Sequence, residues 1–271
     1  MEKVPPGVNP TVPNVARVYD YWLDGKNNYA VDRAIVEASN KVLPDAPQMA
    51  RANREFLGRV VRYLAQSGIR QFFDLGSGLP TEQNVHQVAQ AIAPEARVVY
   101  VDYDPVVLAH GRALLADNGS TRIVTADVRR PEEVVHHPDV AGFIDFRRPV
   151  ALLMFGILHH FNDNERPHDV AAYLRTELAP GSYLAMSNFH TPGPDMPEVH
   201  AKLSEMERIG QEQVGSVRFR TRDELMAYFG DFELLDPGLV PLPEWRPDGT
   251  ETAQMADGYH GILGGVARKP W

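Results

Sequence analysis

The chain contains no cysteine, which excludes a cysteine nucleophile, thiolate metal ligands and a disulfide framework, and fits a reducing compartment. It also lacks a long apolar run. The longest, from Pro149 to Phe161, falls far short of the ~20 residues that span a bilayer. No positively charged start followed by an apolar core opens the sequence, so no secretory leader is expected. A cationic surplus is missing too. Lys and Arg total 27 against 36 Asp and Glu, a formal charge of −9, which argues against a nucleic-acid partner whose affinity rests on phosphate contacts. Arg51, Arg54, Arg59 and Arg62 lie close together, but on a helix most of them read as a solvated face. What remains is ordinary globular composition, 44% hydrophobic and 23% charged over 271 residues, enough for one large core carrying a smaller cap. A soluble, cytoplasmic protein is expected.

The first dozen residues are rich in proline and read as an extended arm. Asn14 can cap a short helix with Val15, Val18, Tyr19 and Trp22 at helical spacing and Gly25 as its stop. A second helix covers Pro47 to Gln66, with Met49, Ala52, Phe56, Val60 and Leu64 along one face. Asn53 falls on that stripe, and a buried amide needs a partner, so it is either a structural tie or part of a site.

From Ile69 the pattern becomes strands alternating with helices, the signature of a parallel sheet covered on both faces. Strands are expected at Ile69 to Leu75, Arg97 to Val101, Arg122 to Thr125, Val150 to Leu158 and Tyr183 to Asn188, with helices at Thr81 to Ile92 and Pro105 to Asp117. A helical insertion then occupies 191–220. Thr221 and Glu224 form a capping box, and Phe232 to Leu235 and Gly261 to Arg268 close the sheet. The expected fold is α/β: a mostly parallel, seven-stranded, Rossmann-like sheet over 68–271, with residues 1–67 forming an arm and helical cap.

Asp74-Leu75-Gly76-Ser77-Gly78 sits where a strand hands over to a helix. Glycines there let a ligand approach the backbone closely. A dinucleotide site would use G-x-G-x-x-G, but Thr81 stands at the third glycine position, after Pro80. A tight strand–helix turn without a ligand is the simpler alternative. An acidic residue opening the loop suits a cationic ligand such as S-adenosyl-L-methionine. Asp102, at the end of the next strand, can accept ribose hydroxyls or cap the helix after it. Tyr103 can lie against an adenine, with Asp104 beside it. Ala126-Asp127-Val128 follows the third strand, at the place where methyltransferases supply a carboxylate to the adenine amino group and a backbone N–H to the ring; an aspartate that simply ends a strand at the surface is the alternative. Three acids at the ends of three successive strands form one constellation along the carboxyl edge, where such sheets bind ligands.

The segments ARVYDYWLDGKNNYAVDR, RANREFLGRVVRYLAQSGIRQFFDLGSGLPTEQNVHQVAQ, VVYVDYDP, TADVRRP and ALLMFGILHHF resemble the actinobacterial S-adenosylmethionine-dependent methyltransferases long catalogued as a domain of unknown function. The resemblance covers nearly the whole chain. It implies the class I methyltransferase fold and S-adenosyl-L-methionine as cofactor, with S-adenosyl-L-homocysteine as product. The N-terminal part is also similar to carboxyl methyltransferases, which implies that Arg54, or else Arg51, holds the cofactor carboxylate. Tyr19, Asp20, Lys26 and Asn27 would then lie over the cofactor as part of a lid.

The fourth strand ends in Phe155-Gly156-Ile157-Leu158 rather than the Asn/Asp-Pro-Pro-aromatic motif of amide and adenine-amino methyltransferases. The remaining acceptors are a hydroxyl, carboxylate or amine on a small molecule. Such a transfer needs a base only when the nucleophile starts protonated. His159, His160 and His190 are the candidates, with plain packing as the alternative for each. A metal at His159, His160 and Asp163 is not expected, because adjacent histidines on a strand end point apart. Phe189, Met196, Met206, Trp245 and Tyr259 can line an apolar acceptor pocket, with plain core as the commoner role for such residues. A non-catalytic binder of the same cofactor and a nicotinamide-dependent oxidoreductase are the competing readings. A homodimer is compatible with all of them.

Overall fold

A computed structural model describes residues 8–80, 83–114, 119–249, 251–252 and 254–271. Three helices come first: α1 (Val15–Trp22), α2 (Ala30–Val42) and α3 (Ala46–Gln66). Alternation follows through β1 (Gln71–Leu75), α4 (Val85–Ile92), β2 (Arg97–Asp102), α5 (Pro105–Leu114) and β3 (Thr121–Thr125). Two short helices, α6 (Pro131–Val135) and α7 (Pro138–Ala141), precede β4 (Ala151–Phe155), α8 (Pro167–Glu177) and β5 (Tyr183–Phe189). The last part holds α9 (Pro197–Val214), α10 (Arg222–Ala227), β6 (Glu233–Leu234), β7 (Val240–Pro241) and β8 (Ile262–Arg268).

Among the described residues eight strands form one sheet in the order β3-β2-β1-β4-β5-β8-β6, with β7 also on β8. The first five run parallel, and β8 enters antiparallel to β5. The expected α/β architecture is therefore present with one strand more than expected: the two-residue β7 lies in the proline-bearing loop before Trp245. The parallel strands are apolar on both faces because each face has its own cover. Phe72, Val98, Tyr100, Leu153 and Ala185 pack with α3 and α4. Their neighbours Phe73, Val99, Val101, Leu152 and Leu184 point the other way, into the core beneath α8 and α10. This is the period-two alternation of a strand.

Helix α3 carries Met49, Ala52, Phe56, Val60 and Leu64 into the first of those cores, so it is a layer of the sheet domain. Helices α1 and α2 instead share a small cluster of Val18, Ile35 and Val36 with Ile209 of α9. A buried ion pair, Arg17 Nε to Asp32 Oδ2 at 2.8 Å, ties α1 to α2. Asn14 caps α1 as expected, its Oδ1 accepting from the N–H groups of Ala16 and Arg17. The helix ends at Trp22, ahead of Gly25.

Several boundaries move. The helix read from Thr81 begins at Val85 under an Asn84 cap; Thr81 itself lies outside the described residues. Helix α5 is described to Leu114, and Asp117 lies outside the described residues. The fourth strand stops at Phe155, and Leu158 to His160 form a 3₁₀ turn. Within 191–220 the helix starts only at Pro197. The Thr221–Glu224 capping box is formed.

Candidate active site

The carboxyl ends of β1, β2 and β4, together with α1, α3 and the stretch after α9, line a large cavity. Its floor is the loop after β1. The N–H groups of Gly76 and Ser77 both donate to the Val101 carbonyl, at 2.9 and 3.2 Å. Gly78 N–H donates to Asp102 Oδ2 at 2.9 Å. The loop is thus stapled to the end of β2 rather than feeding directly into a helix. Gly76 and Gly78 both have positive φ, and a Cβ on Gly76 would meet Ile157 Cδ1 at 2.5 Å. Glycine is required there by backbone and by space alike.

Asp74 lies in β1, only 5% exposed, and among the described residues nothing hydrogen-bonds to its carboxylate. Burial pushes its pKa up to about 7; the Arg54 charge opposes this and Asp102 adds to it. Arg54 projects from α3 with Nε buried and without a hydrogen-bond partner, while its Nη2 reaches the Gln83 carbonyl at 3.4 Å. Arg51, the other candidate, pairs outward with Asp24 at 2.6 Å and does not line the cavity.

Asp102 accepts from Gly78 and, through Oδ1, from Asp104 N–H at 2.9 Å. Burial raises its pKa above the ordinary carboxylate range, and the backbone N–H groups on it pull the other way. The capping role weighed for Asp102 falls to Asp104, which accepts from Val106 N–H at 2.7 Å and from Asn14 Nδ2 at 2.5 Å. Tyr103 is 53% exposed at the cavity mouth, with the Arg129 guanidinium over its ring. Asp127 and Val128 line the cavity. Ala126 does not, and its N–H is occupied by the Asp102 carbonyl at 3.1 Å. Leu75 is fully buried in the core beneath.

Phe155 and Gly156 line the far wall. Beside them Asn53 is the structural tie that its place on the apolar stripe allowed. It lines the cavity, and it accepts from Ser187 Oγ at 2.6 Å while donating to Tyr19 Oη at 3.1 Å. Tyr19 Oη in turn donates to the Ala50 carbonyl at 3.1 Å, and burial raises its pKa. Of the four expected lid residues only Tyr19 faces the cavity. Asp20 is buried, accepting from Asn27 N–H and Asn28 Nδ2; Lys26 and Asn27 are exposed.

The histidines separate. His159 and His160 line the cavity from their 3₁₀ turn, rings 4.4 Å apart, rather than pointing away from each other as on a strand. Burial holds both pKa values down, that of His160 at about 4. His190 is outside the cavity, its Nδ1 at 2.7 Å from the His260 carbonyl. Among the described residues no cluster of metal-ligating side chains occurs. Phe189 and Met206 line the inner end, whereas Trp245 is buried against Phe56 and Tyr63, Tyr259 bonds Glu244, and Met196 precedes α9. Phe219, Ser216 and Val217 also line it and were not singled out in the sequence, because they return to the site from a loop distant in sequence.

With this geometry in view, the comparisons with known proteins fall into place. The S-adenosyl methyltransferase family matches residues 1–270. The chain belongs to that family. A putative methyltransferase from Thermobifida fusca YX is 44% identical over 100% of both chains, with a TM-score of 0.92. A duf574 family protein from Streptomyces avermitilis MA-4680 is 37% identical over 96% of this chain and 98% of its own, with a TM-score of 0.88. More distantly, an O-methyltransferase family protein from Burkholderia thailandensis is 12% identical over 83% of this chain and 58% of its own, TM-score 0.52, a likeness of fold alone. None of the curated proteins matches. The enzyme is thus an S-adenosylmethionine-dependent methyltransferase of the class I fold. No helix among the described residues is long and apolar enough to cross a membrane.

Proposed function

We propose that the cavity binds S-adenosyl-L-methionine along the carboxyl edge of the sheet and that the acceptor is a small molecule, methylated at a hydroxyl, carboxylate or amine. The observation that carries this is the pair Asp74 and Arg54. An acid held near a pKa of 7 by burial and a guanidinium Nε buried without a partner line the same cavity. Buried groups of this kind are costly unless satisfied. A zwitterionic amino-acid end satisfies both, its ammonium at Asp74 and its carboxylate at Arg54.

The other residues follow in order along the edge. Asp102, already fixed by Gly78 and Asp104, presents its remaining lone pairs to the ribose. Gly76, Ser77 and Gly78 form the floor on which the chain between sulfur and ribose rests. Tyr103, Asp127 and Val128 flank the adenine, and Phe155 and Gly156 border the methyl. Tyr19, held by Asn53, is the piece of α1 that covers the cofactor. When bound, S-adenosyl-L-methionine supplies a methyl on cationic sulfur, open to displacement by a nucleophile. The chain's part is to hold the two reactants together and exclude water. His159 and His160 line the cavity and are the candidate bases, His159 with its Nδ1 already accepting from Phe189 N–H, and His190 would have to leave the His260 carbonyl to serve.

The cavity continues past these residues into an aromatic chamber, which favours catalysis over a purely sensing role. Calorimetry with S-adenosyl-L-methionine, S-adenosyl-L-homocysteine and NAD tests the reading. Binding of both sulfur ligands with none of NAD is expected. NAD binding without either of the others would overturn it.

A further inference from the structure

We propose that the inner end of the cavity selects an uncharged, flat, apolar acceptor bearing one O–H or N–H, with His160 Nδ1 accepting that hydrogen bond. The inference rests on the methyl-donor reading above and narrows its acceptor.

The shape of the wall comes first. Phe219, Phe189 and His159 all line the cavity and form one parallel stack, with centroids 4.7 and 3.8 Å apart and planes within 9° and 5°. Met206, Val217 and Ile262 continue the apolar surface. Flat rings and methyl groups reward a flat apolar ligand and offer little to a hydrated one.

Charge decides the next point. Among the described residues the cavity's acidic and basic side chains other than histidine are Arg54, Asp74, Asp102, Asp104, Asp127 and Arg129, all from the elements assigned above to the donor. The nearest cations at the inner end do not line it. Arg220 donates to the carbonyls of Leu158 and Phe161 and to Asp163, and Arg218 pairs through Nη1 with Glu207, its buried Nε having no hydrogen-bond partner among the described residues. The two histidines are neutral because burial disfavours their charged forms, with His160 at about 4. A carboxylate acceptor would enter an apolar chamber with no counter-ion, which is strongly unfavourable.

One polar atom remains to be explained. His160 Nδ1 is buried and has no hydrogen-bond partner among the described residues. The other histidine's Nδ1 is taken, accepting from Phe189 N–H at 3.3 Å. The ring's one N–H is taken by its hydrogen bond to the Ser216 backbone, which leaves Nδ1 without a proton and so an acceptor; the complementary ligand group is a donor, as a phenol or an aryl amine provides.

The test uses wild-type protein loaded with S-adenosyl-L-homocysteine, titrated with phenol, 2-naphthol, their methyl ethers, benzoate and 2-naphthoate. Phenol or naphthol should bind about tenfold tighter than the matching ether or carboxylate, the worth of one satisfied hydrogen bond. His160→Phe should erase the preference over the ether, and His160→Gln, which keeps an acceptor, should retain it. A carboxylate bound as tightly as its hydroxyl counterpart, neither hydroxyl compound binding, or a preference that survives His160→Phe would each overturn the inference. If S-adenosyl-L-homocysteine itself fails to bind, the donor reading falls first and this one with it.

Discussion

Arg129 Nε sits 2.9 and 3.0 Å from the two oxygens of Asp127, and its Nη1 reaches Glu165 at 2.9 Å. The guanidinium fixes the plane of a carboxylate that is itself one-third exposed toward the cavity. An acceptor oriented in this way distinguishes a donor amino group from a carbonyl at the same place on a ring. Wild-type protein should therefore prefer S-adenosyl-L-homocysteine over its inosine analogue by about tenfold. Asp127→Ala should lose that preference, measured by competitive titration.

Asp74 gives a pH signature. Its pKa is raised, so the protonated carboxyl favours the folded state fully below about pH 4, and that contribution disappears as pH climbs through about 7. Ligand-free protein should lose stability over this window, and Asp74→Asn should flatten the profile. A bound ammonium restores the carboxylate. Binding of S-adenosyl-L-homocysteine should release a proton near pH 6 to 7, and its affinity should rise about tenfold for each pKa unit recovered. Calorimetry in buffers of different ionisation enthalpy reads the proton directly.

The two loop glycines should differ in cost. Gly78→Ala meets only the backbone penalty of its φ of +66°, because nothing lies within 4 Å of the new Cβ; a loss of about 1–2 kcal/mol is expected. Gly76→Ala meets the same penalty and also strikes Ile157. It should cost about 1–3 kcal/mol more, the range for overpacking, and Ile157→Ala should recover part of the difference. Chemical denaturation of Gly78→Ala, Gly76→Ala and the Gly76→Ala, Ile157→Ala double variant checks this.

Asp32 is fully buried and holds Arg17. Asp32→Ala strands the cation, so a loss of about 3–5 kcal/mol is expected. The pair Arg17→Met with Asp32→Leu should be far milder. Limited proteolysis between α1 and α2 reports whether the loss is local or global.

The sheet was legible because its strands carry strong apolar runs, and the three acids followed from strand ends alone. Helix α2 leaves no such mark in the sequence. Its inward face includes Asp32 and Ser39 beside Ile35 and Val36, so the apolar period is broken by polar residues that the fold satisfies. The strand read through Leu158 failed for another reason: Gly156 takes a φ of +65° and turns the chain, although the apolar composition continues. That turn is what brings His159 and His160 to face each other. His190 looked equivalent on the same edge, yet its bridge to Arg220 and the nearby His260 carbonyl draw it aside. Both partners are distant in sequence, and no local pattern announces them.

Asn14 and, from helix α1, Val18, Tyr19 and Trp22 all line the cavity, so in the proposed arrangement one helix walls the donor and acceptor parts together. Two ligands behind one door cannot come and go independently. The kinetics should be ordered, with the acceptor held until α1 lifts, and turnover limited by that opening rather than by methyl transfer. A solvent-viscosity dependence of kcat measures it.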